Sequence, residues 1–250
     1  MPTTTLALHS TPAVAGAPAR GPVLLLHGFA ASAREDYLTT GWPQALAAAG
    51  HEVHAVDLPG HGDSPAVAGS AATTSAVVAA LAAVVDDLGA DVDVIGYSLG
   101  ARLAWELPAA TGRVRRLVLG GLSPFEPFAT VDTCAVARAA AGDGRPADPL
   151  VAMMATMIAA PGRDTDSLLA LMAGLAAEPF DPALGAPRVP TLVVAGADDV
   201  MTQGLDALAA GLPDGRFLRV PGDHRGALDS EAFRAAAIAF LGGRPGDAAM

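Results

Sequence analysis

The sequence predicts an α/β fold, a mostly parallel doubly wound sheet flanked by helices, with an inserted helical cap. Three observations lead there. Short, near-continuously apolar runs recur along the chain, stretches with helical periodicity separate most of them, and one connection is far too long for a simple crossover. The overall composition, 52% hydrophobic and 16% charged, is that of a globular chain of 250 residues with a sizeable core.

The apolar runs at 23–26, 53–56, 92–95, 117–119, 192–194 and 217–220 are short and rich in β-branched residues, as buried strands are. Helical patterns fall at 38–49, 73–88, 98–107, 204–211 and 230–241. In the third of these, Leu99, Leu103 and Leu107 take the i, i+4, i+8 spacing of one helix face. Strands apolar on both faces belong in a parallel sheet covered by helices on both sides. Right-handed crossovers align the strand C-termini along one edge, where such sheets bind ligands. Residues 122–190 interrupt the alternation, whereas connections in α/β units usually run about 2–6 residues. Helical patterns at 131–141, 149–159 and 167–177 give this insertion its own structure. The expected organisation is a core of residues 1–121 and 191–250, with 122–190 as a cap over the ligand edge.

Composition excludes several functions. The formal charge of −11 argues against a nucleic-acid partner or an anionic membrane surface. All fifteen basic residues are arginine, so lysine Schiff bases, pyridoxal phosphate linkages and a P-loop lysine are ruled out. Cys134 is the single cysteine, which leaves no internal disulfide and no cysteine-based metal cluster. No metal site and no cofactor are expected. The N-terminal stretch lacks the basic and apolar regions of a signal peptide, so a cytoplasmic location is the expectation. The uncharged stretch 65–85 is broken by Gly, Ser and Thr and is otherwise mostly alanine, too weak for a membrane span.

The strand ends carry the chemistry. In VIGYSLGARLAW (residues 94–105), Ser98 lies between Gly96 and Gly100 on a strand-to-helix turn. Small flanking residues let the backbones approach there, and the serine is aimed out of the sheet as in a nucleophile elbow. A glycine-rich turn with an N-capping serine fits the same spacing. After the first run, His27-Gly28-Phe29 places the Phe29 N–H beside that of Leu99, the two donors an oxyanion hole needs. DLPGHGDS (57–64) reads as a tight turn in which His61 bonds to backbone rather than acting as a base. Two adjacent carboxylates, Asp198 and Asp199, follow the run at 192–194, and His224 lies on a short loop before the final helix. Serine, acid and histidine thus come in that order, each at a strand end, with His224 as the base for Ser98.

LLLHGF, DLPGHGDS, GYSLGA, VPTLVVAGADD and VPGDH together resemble the α/β-hydrolase fold superfamily in order and spacing, across nearly the whole chain outside 122–190. The resemblance implies a serine hydrolase with Ser98 as nucleophile, Asp199 as acid, His224 as base, and Phe29 and Leu99 as oxyanion donors. Ala101 stands where many members have a second glycine, and Asp223 stands directly before the histidine where a small residue is common. A serine triad attacks a carbonyl carbon and forms an acyl-enzyme. The expected substrate is a small molecule, an apolar carboxylic ester, with thioesters and lactones passing through the same tetrahedral species.

The insertion holds Met153, Met154, Met157 and Met172 with Phe125, Phe128 and Phe180, residues suited either to an apolar pocket or to the cap's own core. Met153, Met154 and Met157 are the substrate-binding candidates. Arg138, Arg145 and Arg163 would favour an acidic substrate if one of them faced inward. GYSLGAR also resembles the pyruvate-eliminating synthase of the menaquinone pathway, in which an arginine occupies the position of Arg102; pairing with Glu106 is the other reading. Some members of the fold keep the triad and only bind ligands.

Overall fold

The apolar runs form six parallel strands in the computed structural model, which describes residues 5–144 and 146–243. They are β2 (Val23–Leu26), β3 (Val53–Val56), β4 (Val92–Tyr97), β5 (Val114–Gly120), β6 (Thr191–Gly196) and β7 (Gly215–Val220). A seventh strand, β1 (Leu8–Thr11), pairs antiparallel with β3, and the order across the sheet is β1-β3-β2-β4-β5-β6-β7. Only Leu8 of its four residues is hydrophobic, so β1 gives no apolar run for sequence reading to find.

Period-two alternation divides the core. Leu24, Leu26 and Val94 face one side, where they meet α2 (Thr74–Asp87) and α3 (Leu99–Ala104). Val23, Leu25 and Ile95 face the other and meet α1 (Trp42–Ala48) and α10 (Glu231–Gly242). On that second face the Trp42 and Phe233 rings pack edge-on with centroids 5.0 Å apart. The sheet is therefore wound on both faces, as its apolar strands require.

Local chemistry moves several helix boundaries. The expected helix at 98–107 is two, α3 and α4 (Leu107–Thr111), because Pro108 starts a new first turn and cannot continue the old one. The expected helix at 38–49 begins only at Trp42, after a short helical turn Arg34–Leu38, since Gly41 sits at φ 84°. Residues 122–190 contain α5 (Thr133–Ala140), α6 (Pro149–Ile158) and α7 (Thr165–Ala177). Buried Val136, Met154, Ile158, Leu168 and Met172 from these helices join the same apolar cluster as α2 and α3. The remaining helices are α8 (Leu205–Ala210) and α9 (His224–Asp229). His224 thus opens a helix rather than lying on a loop, because Asp223 caps it by accepting from the Arg225 and Gly226 N–H groups.

The strand order places the ligand edge. The chain runs left from β2 to β3, then crosses β2 to reach β4, so the connections diverge above the C-terminal ends of β2 and β4. That crevice is where open α/β sheets bind ligands. Helix α3 descends into it with almost no clearance. A Cβ on Gly100 would lie 2.0 Å from the Leu26 carbonyl oxygen, and one on Gly96 would lie 2.4 Å from the Gly100 carbonyl oxygen. Both glycines are required by backbone contact. Gly100→Ala is therefore expected to destabilise the fold by about 3 kcal/mol or more, the upper range for overpacking, because neither backbone can yield as a side chain would. Urea unfolding measures it; a loss below about 1 kcal/mol would show that α3 can shift away from β2.

Candidate active site

Ser98 leaves β4 at φ 52° and ψ −114°, and with Ala30 it is one of two non-glycine residues at positive φ among the described residues. Such a conformation costs energy and persists only where its surroundings enforce it. Here the Ser98 N–H donates to the Gly120 carbonyl at 2.8 Å and its carbonyl accepts from the Arg102 N–H at 3.0 Å. The side chain is left free to point into the crevice.

The structure brings Ser98, His224 and Asp199 together. His224 Nε2 lies 3.1 Å from Ser98 Oγ, and His224 Nδ1 lies 2.7 Å from Asp199 Oδ2. Asp199 is 1% exposed at its side chain and His224 33%. The second oxygen of Asp199 accepts from the Met201 N–H at 3.0 Å, which fixes the carboxylate plane. A carboxylate only accepts, so the imidazole carries its proton on Nδ1 and turns a lone pair on Nε2 toward the serine hydroxyl. Tyr97 holds His224 from behind: its hydroxyl donates to the His224 carbonyl, and its ring packs at 5.5 Å from the imidazole. Asp198 is exposed, and Asp223 is occupied in capping α9.

The loop after β2 is equally constrained. His27 Nδ1 donates to the Gly28 carbonyl at 2.8 Å and Nε2 accepts from the Leu58 N–H at 3.0 Å. His61 Nδ1 donates to the Pro59 carbonyl at 2.9 Å and Nε2 accepts from the Ala30 N–H at 3.1 Å. His61 thus bonds only to backbone. Burial, helped by the neighbouring His27, pushes its pKa down to about 3. Asp36 is buried, accepts from the Gly28 N–H at 2.8 Å, and pairs with Arg225 at 2.5 Å. The Phe29 and Leu99 N–H groups have no acceptor among the described residues.

A cavity of about 580 Å³ opens over these groups. Phe29, Phe125, Phe128, Met153, Met154 and Met157 are among the residues of its apolar wall. Met154 is buried, while Met153 is 46% exposed at the rim. Met172 is fully buried among the helices away from the cavity, and Phe180 packs on Trp105 and over the Arg102 guanidinium. The charged lining is paired. Arg163 donates to Glu35 at 2.7 Å and holds its carboxyl below the usual carboxylate range. Arg102 donates to Glu106 at 2.5 Å, to buried Glu126 at 3.3 Å, and to Thr74 and the Glu178 carbonyl. Arg138 is exposed on α5, and Arg145 lies outside the described residues.

Sequence reading passes over Asp36, Arg225 and Glu126. Asp36 and Arg225 are 189 positions apart, and neither belongs to a motif that would link them. Among the described residues one histidine–carboxylate group, His9, Asp57 and Asp63, is compact enough to approach a cation. Its central carboxylate is already engaged by the Ala33 and Asp63 N–H groups and by His9.

The sequence profile of the alpha/beta hydrolase family matches residues 23–237. The chain belongs to the alpha/beta hydrolase family. Solved structures extend the likeness in fold to nearly the whole chain. A hydrolase from Pseudomonas aeruginosa PA01 is 24% identical, with a TM-score of 0.73 over 95% of this chain and 94% of its own. A thermophilic esterase from Thermogutta terrifontis is 24% identical, with a TM-score of 0.72 over 94% of this chain and 92% of its own. The enol-lactonase from Burkholderia xenovorans LB400 is 22% identical, with a TM-score of 0.67 over 94% of this chain and 96% of its own. No curated protein matches significantly.

The neutral buried histidines give the family fold a pH dependence here. A histidine whose folded pKa is depressed gains its proton on unfolding, so its stabilisation is complete above about 6.5 and declines as pH falls toward about 3. His27, lowered by burial, acts with the same sign. Between about pH 7 and about pH 4 the melting temperature of the wild type is expected to fall more steeply than that of His61→Gln. Parallel slopes in differential scanning calorimetry would contradict this.

Proposed function

We propose that this family member is a serine hydrolase that cleaves uncharged, largely apolar carboxylic esters through an acyl-enzyme. The observation that carries the reading is the hydrogen-bonded series from Ser98 through His224 to Asp199, opening into an apolar cavity. In this mechanism Ser98 Oγ attacks the ester carbonyl carbon while His224 Nε2 takes its proton. Negative charge gathers on the former carbonyl oxygen, which the Phe29 and Leu99 N–H groups stabilise. Collapse expels the alcohol, protonated by His224. Water, deprotonated by the same imidazole, then releases the acid and restores Ser98. Asp199 keeps the imidazole in the required tautomer and stabilises its charged form. Thioesters and lactones react through the same intermediate.

The paired lining supports an uncharged substrate. Arg102 is engaged through every nitrogen by the chain's own acceptors, which leaves little basis for anchoring an anionic substrate there, as the synthase reading requires. A member that only binds ligands would show no turnover of any acyl ester.

Ser98→Ala is expected to abolish hydrolysis of p-nitrophenyl esters and labelling by a fluorophosphonate while the chain stays folded. Unchanged kcat/KM in that variant would end the serine-hydrolase reading. Asp199→Asn is expected to lower kcat by about 10²–10⁴-fold, whereas Asp198→Asn stays within about tenfold of wild type. The reverse ranking would move the acid to Asp198. Met153→Ala and Met157→Ala, at the rim and wall of the cavity, are expected to shift the preferred acyl chain length with little change in melting temperature. A lower melting temperature with an unaltered preference profile would make them packing residues only.

A further inference from the structure

Three consecutive amides leave β2, and the two outer ones are tied. The Gly28 N–H donates to Asp36 and the Ala30 N–H donates to His61. The middle amide, Phe29, has no acceptor among the described residues, and the residue lines the cavity. We propose that Asp36 and His61 are positioning residues that aim the Phe29 N–H at the reacting carbonyl by clamping the amides on either side of it. The proposal rests on the serine-hydrolase reading and extends it to two residues that do not touch the reacting atoms.

The His61 clamp acts on the strained point of the loop. Ala30 sits at φ 51°, a left-handed conformation that L-residues with a Cβ hold only under constraint. Turning Ala30 back would swing the Phe29–Ala30 peptide off His61 and leave the Gly28–Phe29 peptide, which carries the Phe29 N–H, free to rotate away from the cavity. The bond from the Ala30 N–H to His61 Nε2 opposes that turn. His61 is fixed in its own right through Nδ1 to the Pro59 carbonyl, and it packs edge-on against the Phe29 ring at 6.0 Å between centroids. An Nε2 that already accepts a backbone amide has no lone pair left for a substrate proton, so His61 orients and does not transfer.

The Asp36 clamp joins two halves of the site. One carboxylate oxygen holds the Gly28 N–H, and the other holds Arg225, the residue after His224. A Cβ on Gly28 would stand 3.5 Å from both Asp36 Oδ2 and the Ser98 Cβ, so clamp, loop and nucleophile lie side by side. Asp36 therefore sets the spacing between the oxyanion donor and the base. Both its neighbours are donors, so only a group that accepts on both sides fits. An asparagine would turn an N–H toward one of them.

The test compares wild type, Asp36→Asn, His61→Ala and His61→Gln in p-nitrophenyl ester kinetics, in fluorophosphonate labelling of Ser98, and in backbone amide hydrogen exchange by NMR. Asp36→Asn and His61→Ala are expected to lower kcat by about 10²-fold with KM within about threefold of wild type, the signature of a donor misplaced by around an ångström. His61→Gln, whose side-chain oxygen can accept the Ala30 N–H, is expected to recover most of that loss. In the ligand-free wild type, the Gly28 and Ala30 amides should be protected and Phe29 should exchange faster than both; each variant should release its own amide. Unchanged kcat, an effect confined to KM, or a Phe29 amide as protected as its neighbours would overturn the proposal. A wild type that neither cleaves esters nor labels on Ser98 would instead remove the hydrolase reading, and the exchange pattern would then decide by itself whether the loop is clamped. If one variant fails to fold, the variant at the other position and His61→Gln still give the kinetic test, and a wild-type Phe29 amide as protected as its neighbours overturns the proposal without any variant.

Discussion

The site depends on a contact between two stretches of backbone. Helix α3 reaches the crevice between β2 and β4 only because Gly100 lets its main chain meet the Leu26 carbonyl where a methyl group would stand 2.0 Å from the oxygen. That closeness forces the sharp turn at Ser98, and the turn forces the serine to positive φ. It also brings the first N–H of α3 near the loop after β2, so the Ser98 hydroxyl and the candidate oxyanion donors are placed together. The strain at Ser98 is sustained by bonds to Gly120 and Arg102, groups belonging to rigid elements. Precision here comes from strands and a helix rather than from loops, the condition under which small positional tolerances hold.

Charge in the cavity wall follows a related logic. Removing isolated charges from water is costly, and pairing them is the usual remedy. Glu126 is buried enough for its carboxyl to rise above the ordinary range even beside Arg102. Arg225 pairs with Asp36 and with Asp229 on its own helix, and Arg163 pairs with Glu35. These pairs tie the insertion, the β2 loop and the α9 region together while leaving the cavity without an uncompensated charge. The resulting environment accepts apolar groups and strengthens the few amide dipoles aimed into it.

Much of this was legible in the sequence because two periodicities and a few glycines carry it. The strand runs at β2, β3, β4 and β6 are buried on both faces and therefore nearly continuously apolar, with His54 in β3 and Asp93 in β4 as polar exceptions. Ser98, Asp199 and His224 stand at strand ends, where topology rather than local propensity brings them together. What escaped was whatever depends on partners distant in sequence or on single residues. β1 is an edge strand with alternating burial and no apolar run. The α3/α4 break turns on Pro108, and the helical start at His224 turns on the cap at Asp223. Asp36 gives no signal at all, since its meaning lies in Gly28 and Arg225. Met153, Met154 and Met157 reach the cavity but Met172 does not, and helical spacing alone does not separate wall from core.

The seam between α7 and the start of α2 changes how the insertion is to be regarded. A Cβ on Gly174 would lie 2.1 Å from the Ala72 carbonyl. The Ser167 hydroxyl accepts from the Val67 N–H, and the Glu178 carboxylate accepts from the Ser75 N–H and hydroxyl. With its apolar residues in the same cluster as α2 and α3, this helix has no interior of its own to unfold around. Cooperativity follows shared burial rather than chain order. By its contacts α7 is packed as one body with α2 and α3, and the boundary at residue 190 is not matched by a gap in the apolar core. Removing such a segment would strip the apolar cover from α2 and α3 rather than detach a separate body.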